Sequence, residues 1–277
     1  MKVKKLFQQL LLLGSCTFIT TSYAEDTNPP WSYDEDEQVG WSSLESLNSL
    51  APIPGLYPYA ECGLGQKQSP ITIIDNDNRT VKNSNNMNGI RFAYHSTPLS
   101  VTNNGHAIIV NMPPSNDNKN AFKIGKQKYE LLQIVIHSPS EHKIDGQSSK
   151  MEIQFEHRTP SGKLAIVGVL VTQNSTGKDN SELQKILDNA SHQTDVTVTP
   201  SNTNIKPFKL LPSNKKSIYT YAGSFTIPPC TGGVDWYVLR YPLEVSAAQI
   251  TAFQTLYRAN FRVTQPLNGR IVEKNFK

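Results

Sequence analysis

From residue 70 onward the chain is a succession of short apolar and β-branched runs separated by polar turns. This pattern restricts the fold more than any other feature, because runs of this length predict strands and not helices. The run without a polar residue, 164–171, is typical of a central strand buried on both faces. Asn103-Asn104-Gly105 predicts a hairpin turn. The other predicted strands are 71–74, 99–102, 107–110, 129–137, 150–157 and 236–239.

Two segments carry helical patterns. Apolar residues recur at helical spacing in 182–187, and again in 247–257, where Ile250 and Phe253 share one face. Ser246 is a suitable N-cap for the second helix. With 37% hydrophobic and 18% charged residues, the composition excludes a disordered chain. The sequence therefore predicts one α+β domain, dominated by a sheet and with few short helices.

The first 24 residues have the organisation of an export signal. A basic start precedes a mostly apolar stretch, 6–13, and the small residues Ser22 and Ala24 suit signal peptidase. We predict a signal peptide at 1–24 and a periplasmic or extracellular protein with no transmembrane segment in the mature chain. One alternative is an uncleaved membrane anchor, for which this stretch is too polar. The other is a lipoprotein acylated at Cys16.

Cleavage after Ala24 leaves two cysteines, Cys62 and Cys230. In an oxidising compartment two cysteines most simply form one disulfide. Two free thiols are the alternative.

An acidic leading segment, 25–66, follows the signal and precedes the main domain, 67–277. The segment contains eight acidic residues and no Lys or Arg, and Trp31, Tyr33 and Trp41 predict that it packs onto the body. Beyond residue 24 the chain has 24 basic and 23 acidic residues, because three of its 27 basic residues belong to the signal. This balance argues against non-specific nucleic-acid binding and gives no electrostatic support for sulfated or phosphorylated polymers.

Five short motifs in a fixed order resemble the alpha-class carbonic anhydrases. The motifs are Gln68-Ser69-Pro70-Ile71, Asn103-Asn104-Gly105-His106, Pro139-Ser140-Glu141-His142, Gly223-Ser224-Phe225-Thr226 with Pro228-Pro229-Cys230, and Leu267-Asn268-Gly269-Arg270. The resemblance runs from about residue 31 to the C-terminus. It implies a large, mostly antiparallel central sheet below the active site, and a Cys62–Cys230 disulfide.

The family hydrates carbon dioxide with a zinc-bound hydroxide, and three histidines hold the metal. Two of these ligands lie two residues apart in a Gln-x-His-x-His pattern on one strand. The third follows a Glu by two residues on the neighbouring strand. Strand residues two apart point to the same face, which explains the spacing.

This sequence departs from the family at two of the three ligand positions. After Gln133, Val135 and His137 occupy the first and second positions, and Gln154 follows Glu152 at the third. Valine has no lone pair to donate, and an amide oxygen is a poor zinc ligand beside an imidazole. We therefore expect no metal or other cofactor, and zinc only if the alternative function below holds.

The remaining histidines do not supply obvious replacements. His157 is an odd number of residues from Gln154 and faces the other side of a regular strand. His142 follows Pro139 outside the strand, and His95 and His192 belong to other segments.

The same parity predicts which residues line the pocket. They are Gln133, Val135 and His137 from one strand and Glu152, Gln154 and Glu156 from the next. We expect Ile166, Thr226 and Ile227 to line the pocket as well. At the Glu156 position the family usually has part of an apolar wall. We expect a polar, hydrogen-bonded or water-filled cleft, with a different ion held by His137, Gln154 and Glu156 as an alternative.

Three further residues match catalytic positions of the family: His106 the proton shuttle, Thr226 the hydroxyl that orients the hydroxide, and Glu141 the acceptor for that hydroxyl. Without the metal, we interpret His106 as a turn-adjacent surface residue and Glu141 and Thr226 as a buried hydrogen-bonded pair.

These features predict an exported, catalytically silent homologue that is retained as a binding or structural module for an unknown protein or envelope ligand. The alternative is an active carbonic anhydrase with an altered metal site. A third prediction is an envelope protein that only assembles, as a homodimer.

Overall fold

A computed structural model of the 277-residue chain describes residues 28–47, 55–84, 87, 89–113 and 118–277. The predicted signal peptide and Cys16 lie outside the described residues.

The described part of the chain contains seventeen strands. They are β1 (Thr72–Ile73), β2 (Val81–Asn83), β3 (Arg91–Ala93), β4 (Thr97–Pro98), β5 (Val101–Asn103), β6 (Ile108–Asn111), β7 (Ala121–Ile124), β8 (Gln127–His137), β9 (Lys143–Ile144), β10 (Gln147–Ser148), β11 (Met151–Arg158), β12 (Leu164–Gln173), β13 (Val196–Val198), β14 (Asn204–Ile205), β15 (Ile218–Ser224), β16 (Gly232–Val245) and β17 (Val272–Lys274).

Helices are few and short in the same residues. They are α1 (Glu35–Gly40), α2 (Glu61–Leu64), α3 (Ser181–Asn189) and α4 (Ala247–Leu256), with 3₁₀ turns at Trp41–Ser43 and Pro207–Leu210. The predicted cap is confirmed, because the Ser246 side chain accepts a hydrogen bond from the backbone N–H of Gln249. None of the helices in the described ranges is long and apolar enough to cross a membrane.

Twelve strands form the central sheet, which runs in the order β13-β5-β6-β8-β11-β12-β16-β15-β17-β2. A branch adds β7 beside β8 and β3 beside β7. Only two neighbouring pairs of this sheet, β12–β16 and β17–β2, are parallel among the described strands. The expected α+β fold with a large, mostly antiparallel sheet is therefore confirmed.

The sheet separates two buried apolar clusters because successive residues of a strand face opposite sides. Ile134, Ile136 and Phe155 belong to the larger cluster, which α3 and α4 cover through Ile186 and Phe253. The smaller cluster on the other face is built around Ile71, Ile166, Tyr219, Trp236 and Val238. Both faces of the central strands are thus covered, which explains the apolar run of β12.

The 103–105 turn joins β5 and β6 as an antiparallel hairpin, with Gly105 at φ +83°. The polar stretch 191–204 reads as a loop in the sequence, but within it Val196–Val198 forms the edge strand β13 beside β5. Its Val-Thr-Val sequence suits a strand, but a three-residue run gives too weak a pattern to separate from a loop.

The leading segment packs against the disulfide. Cys62 and Cys230 are bonded with their Cα atoms 5.0 Å apart, which confirms the predicted pairing over two free thiols. Trp41 is fully buried in the same cluster, and Trp31 and Tyr33 pack against it.

Candidate functional site

Two neighbouring strands, β8 and β11, bring together six of the predicted pocket residues. Their antiparallel register pairs Gln133 with Glu156, Val135 with Gln154, and His137 with Glu152. Side chains paired in register project from the same face, so all six share one face of the sheet. Gln133 is half-buried and the other five are buried. Ile166 of β12 is buried beside them, opposite Glu156.

His137 is oriented by a backbone carbonyl. Its Nδ1 lies 2.7 Å from the carbonyl oxygen of Asn260 and 3.6 Å from Oε1 of Glu141. A carbonyl oxygen can only accept, so Nδ1 carries a hydrogen, and in the neutral ring the lone pair is on Nε2. The second of the three ligand positions thus keeps an imidazole that could act as a metal ligand.

Gln154 bridges two buried carboxylates. Its Nε2 donates to Oε2 of Glu141 at 2.7 Å and to Oε1 of Glu152 at 3.2 Å. An amide NH₂ has two hydrogens, so both are used in these contacts. The side chain at the third ligand position therefore supplies donors to carboxylates that would otherwise be buried with fewer partners.

Glu152 is also paired with His142. Nδ1 of His142 lies 2.9 Å from Oε1 of Glu152, and its backbone N–H donates to Oε2 at 2.8 Å. Burial alone would raise the pKa of Glu152, but the charge and hydrogen bonds of His142 outweigh burial and lower the pKa. The other ring nitrogen of His142 contacts the Tyr221 hydroxyl at 2.7 Å. His142 is therefore engaged on both sides.

Glu156 places a carboxyl group where the family has an apolar wall. Gln133 Nε2 donates to Glu156 Oε2 at 2.8 Å. Burial raises the pKa of Glu156 to about 7, and the charge of Glu141 acts in the same direction, while Gln133 and His137 oppose the shift. The wall is consequently polar at this position.

Two aromatic residues of the leading segment, Trp31 and Tyr33, lie over the site. The Trp31 ring stacks on the His106 ring with centroids 3.8 Å apart and planes inclined by 7°. The Tyr33 ring meets the His137 ring edge-on with centroids 6.4 Å apart, and the buried Tyr33 hydroxyl has no hydrogen-bond partner among the described residues. Burial raises the pKa of Tyr33 and lowers the pKa of His106. His106 is therefore a half-buried, stacked residue.

Glu141 accepts hydrogen bonds from residues other than Thr226. Its two oxygens accept from Gln154 and, at 2.8 Å, from the backbone N–H of Arg262. Thr226 is buried and Ile227 is half-buried, in the turn after β15 that leads to Cys230. None of the hydrogen bonds among the described residues joins Glu141 to Thr226. The predicted Glu141–Thr226 hydrogen bond is therefore not formed there, and Glu141 accepts from Gln154 instead.

Two C-terminal residues complete the site and were not predicted. Asn260 also donates from Nδ2 to the Ile136 carbonyl at 2.9 Å. Arg262 is buried, and its guanidinium donates to Gln68 Oε1 at 2.8 Å and to the Ser69 carbonyl at 2.7 Å. Both follow α4 in a segment without regular structure, where no periodic pattern indicates which way a side chain points.

The other histidines lie away from these positions, as parity indicates. His157 lies on the opposite face, where its Nε2 is 2.8 Å from the Tyr94 hydroxyl and burial lowers its pKa to about 3. His95 and His192 are exposed.

The donor set does not fit zinc. Zinc requires three protein ligands with nitrogen, sulfur or carboxylate donors in a catalytic site. Here Val135 offers none, and the amide hydrogens of Gln154 are directed to carboxylates. No group of three His, Cys, Asp or Glu side chains in the described ranges could hold a metal ion. The alternative ion site of His137, Gln154 and Glu156 stays a hypothesis, with one imidazole, one amide and one carboxylate.

The chain is similar to proteins of one family over most of its length. A family model described as eukaryotic-type carbonic anhydrase matches residues 56–276. A carbonic anhydrase from Nostoc sp. is 33% identical, over 96% of this chain and 96% of its own. The solved alpha-carbonic anhydrase of Thermovibrio ammonificans with the inhibitor sulfanilamide is 31% identical, covers 89% of this chain and 99% of its own, and has a TM-score of 0.75. A dioscorin solved with ascorbate is 27% identical, with coverages of 89% and 98% and a TM-score of 0.74.

Proposed function

The chain belongs to the eukaryotic-type, or alpha-class, carbonic anhydrase family, and on that premise we propose that it has lost zinc-dependent hydration of carbon dioxide. It acts instead as an exported binding or structural module. The observation that carries this proposal is the pairing of Val135 with Gln154 beside His137, which leaves one imidazole of three.

The contacts of Gln154 support a site adapted to the absence of metal. A metal-bound histidine usually donates its second ring N–H to a carboxylate or carbonyl. Gln154, at the third ligand position, donates to Glu152 and also to Glu141. The carboxylates of the site are therefore satisfied by an amide, and the hydrogen-bond network needs no cation to hold it together.

Export is supported by the disulfide, because such bonds persist in oxidising compartments. The mass of the protein isolated from the source cells tests this part. Cleavage after Ala24 gives a chain that begins at Glu25, whereas lipidation at Cys16 gives an acylated, longer chain. A full-length, unmodified cytosolic chain contradicts export.

Zinc content and hydration activity test the loss of function. We expect the purified mature chain, incubated with zinc and then dialysed against zinc-free buffer, to retain far less than one zinc per chain. Its carbon dioxide hydration, followed by proton release, should not exceed that of the buffer. Stoichiometric zinc together with hydration above the blank would favour the alternative, an active carbonic anhydrase with an altered metal site.

A double variant, Val135→His with Gln154→His, provides the matched gain-of-function test. It should restore zinc binding, because the register already places both positions beside His137. Each single variant is the control, since it supplies only two imidazoles and should bind zinc more weakly than the double variant. Failure of a folded double variant to take up zinc would show that these three positions do not converge.

Sedimentation of the mature chain separates a monomeric binding module from the assembly prediction, for which we expect a homodimer.

A further inference from the structure

A row of cations crosses the branch of the sheet formed by β3, β7 and β8. The register pairs Arg91 with Lys123 and Lys123 with Lys128, so three basic side chains project from one face. All three are exposed, as is Lys126 in the turn between β7 and β8. Neighbouring strands lie about 4.8 Å apart, so the row is about 10 Å long. We call these four residues the basic row.

The packing on the opposite face fixes this register. Phe92, Phe122 and Tyr129 are paired across the same three strands and face the core. Ring centroids are 5.3 Å apart for the first two and 6.1 Å for the last two. A register shift of one residue would expose the aromatic side chains and bury the cations. The strands are therefore held in the register that places the cations opposite each other.

Packing does not require the outward residues to be basic. Like charges directly opposite each other destabilise a sheet, and opposite charges on these strands would stabilise it. Glu130 lies on the same face as Lys128, two residues along β8. Even so, no carboxylate in the described part of the chain lies within 4.0 Å of a basic-row cation. The cations of the row are therefore not engaged in ion pairs among the described residues.

The near-neutral charge of the whole chain conceals an uneven distribution. The leading segment, 25–66, has eight acidic and no basic residues, which leaves 24 basic and 15 acidic residues in 67–277. Residues 67–277 alone therefore have an excess of nine positive charges. The basic row contributes part of this excess.

We propose that the basic row binds a linear sulfated or phosphorylated polysaccharide. Successive anionic groups of a linear chain can each meet one cation of the row, whereas a single small anion cannot span it. A single file of cations suits a chain better than a planar membrane. The aromatic side chains of these strands face the core, so the row lacks the stacking platform typical of single-stranded nucleic-acid sites. This inference does not depend on the loss of zinc.

A heparin octasaccharide is the probe, titrated into the mature protein by calorimetry at about 50 and about 200 mM salt. The test variant combines Arg91→Gln, Lys123→Gln and Lys128→Gln. The matched control combines Lys206→Gln, Lys209→Gln and Lys216→Gln, which removes three exposed charges from another surface. We expect the test variant to weaken binding by at least about tenfold and to reduce the salt dependence, with less than about a twofold change in the control.

Unchanged circular dichroism and melting temperature show that both variants are folded. Three results overturn the proposal: no binding of the octasaccharide by the wild-type protein, equal weakening by both variants, or tighter binding to phosphatidylglycerol vesicles or single-stranded DNA than to the octasaccharide. Zinc content and hydration are measured separately, so a failure here is distinguishable from a failure of the proposed function.

Discussion

Folding shifts the pKa values of two adjacent buried residues, Glu156 and His157, in opposite directions. The pKa of Glu156 rises from 4.5 to about 7 on folding, and the pKa of His157 falls from 6.5 to about 3. As the pH falls, the folded state takes up the Glu156 proton before the unfolded chain does, which stabilises the fold until about pH 4.5. The unfolded chain takes up the His157 proton first, which destabilises the fold from about pH 6.5 down to about pH 3.

The two effects nearly cancel between about pH 7 and about pH 5. Each pKa unit corresponds to about 1.4 kcal/mol, so protonation of Glu156 adds about 2 kcal/mol to the free energy of unfolding over this range. Protonation of His157 in the unfolded chain, which the buried ring in the folded state does not undergo over this range, lowers the free energy of unfolding by about 2 kcal/mol. The pair therefore contributes little to the pH dependence of the wild-type protein.

Two variants separate the contributions. In Glu156→Gln the free energy of unfolding should fall by about 2 kcal/mol relative to wild type as the pH goes from about 7 to about 5. In His157→Gln it should rise by about the same amount over the same range. Urea denaturation followed by tryptophan fluorescence, with the disulfide intact, measures both differences, and taking them against wild type cancels the other titrating groups. Parallel pH profiles for the three proteins would refute the reasoning.

Three further predictions concern stability and titration. Replacing Cys62 and Cys230 by Ser should lower the free energy of unfolding by about 2–5 kcal/mol, and an unchanged urea midpoint would contradict it. Gln154→Leu should cost at least about 2 kcal/mol in the same assay, because two buried carboxylates lose a donor, whereas Gln154→Asn tests whether the shorter amide still reaches them. Trp31→Ala should raise the pKa of His106 towards its ordinary value by exposing the ring, as followed by NMR; an unchanged titration would show that the stack does not bury it.

The sequence predicted the elements that have their own periodicity. The strand that contains Val135 and His137 and the strand that contains Gln154 lie where expected, and their shared face follows from the period of two. The cap at Ser246 was equally local, since a cap depends on residues a few positions away.

The hydrogen-bond partners inside the site could not be predicted in the same way. The Gln154–Glu141 contact depends on how the segment after β8 returns to the sheet, which no local pattern specifies. Gln133 and Glu156 are a contrasting case, because their pairing follows once the register of β8 and β11 is known. The positions of Asn260 and Arg262 depend on tertiary packing alone.

The dependence of the site on Asn260 and Arg262 has a consequence for shortened forms of the protein. Arg262 reaches back to Gln68 across 194 positions. A fragment that stops before residue 260 lacks the carbonyl oxygen that orients His137 and the backbone N–H that donates to Glu141. Such a fragment can keep the strands β8 and β11 and still lack the arrangement around His137.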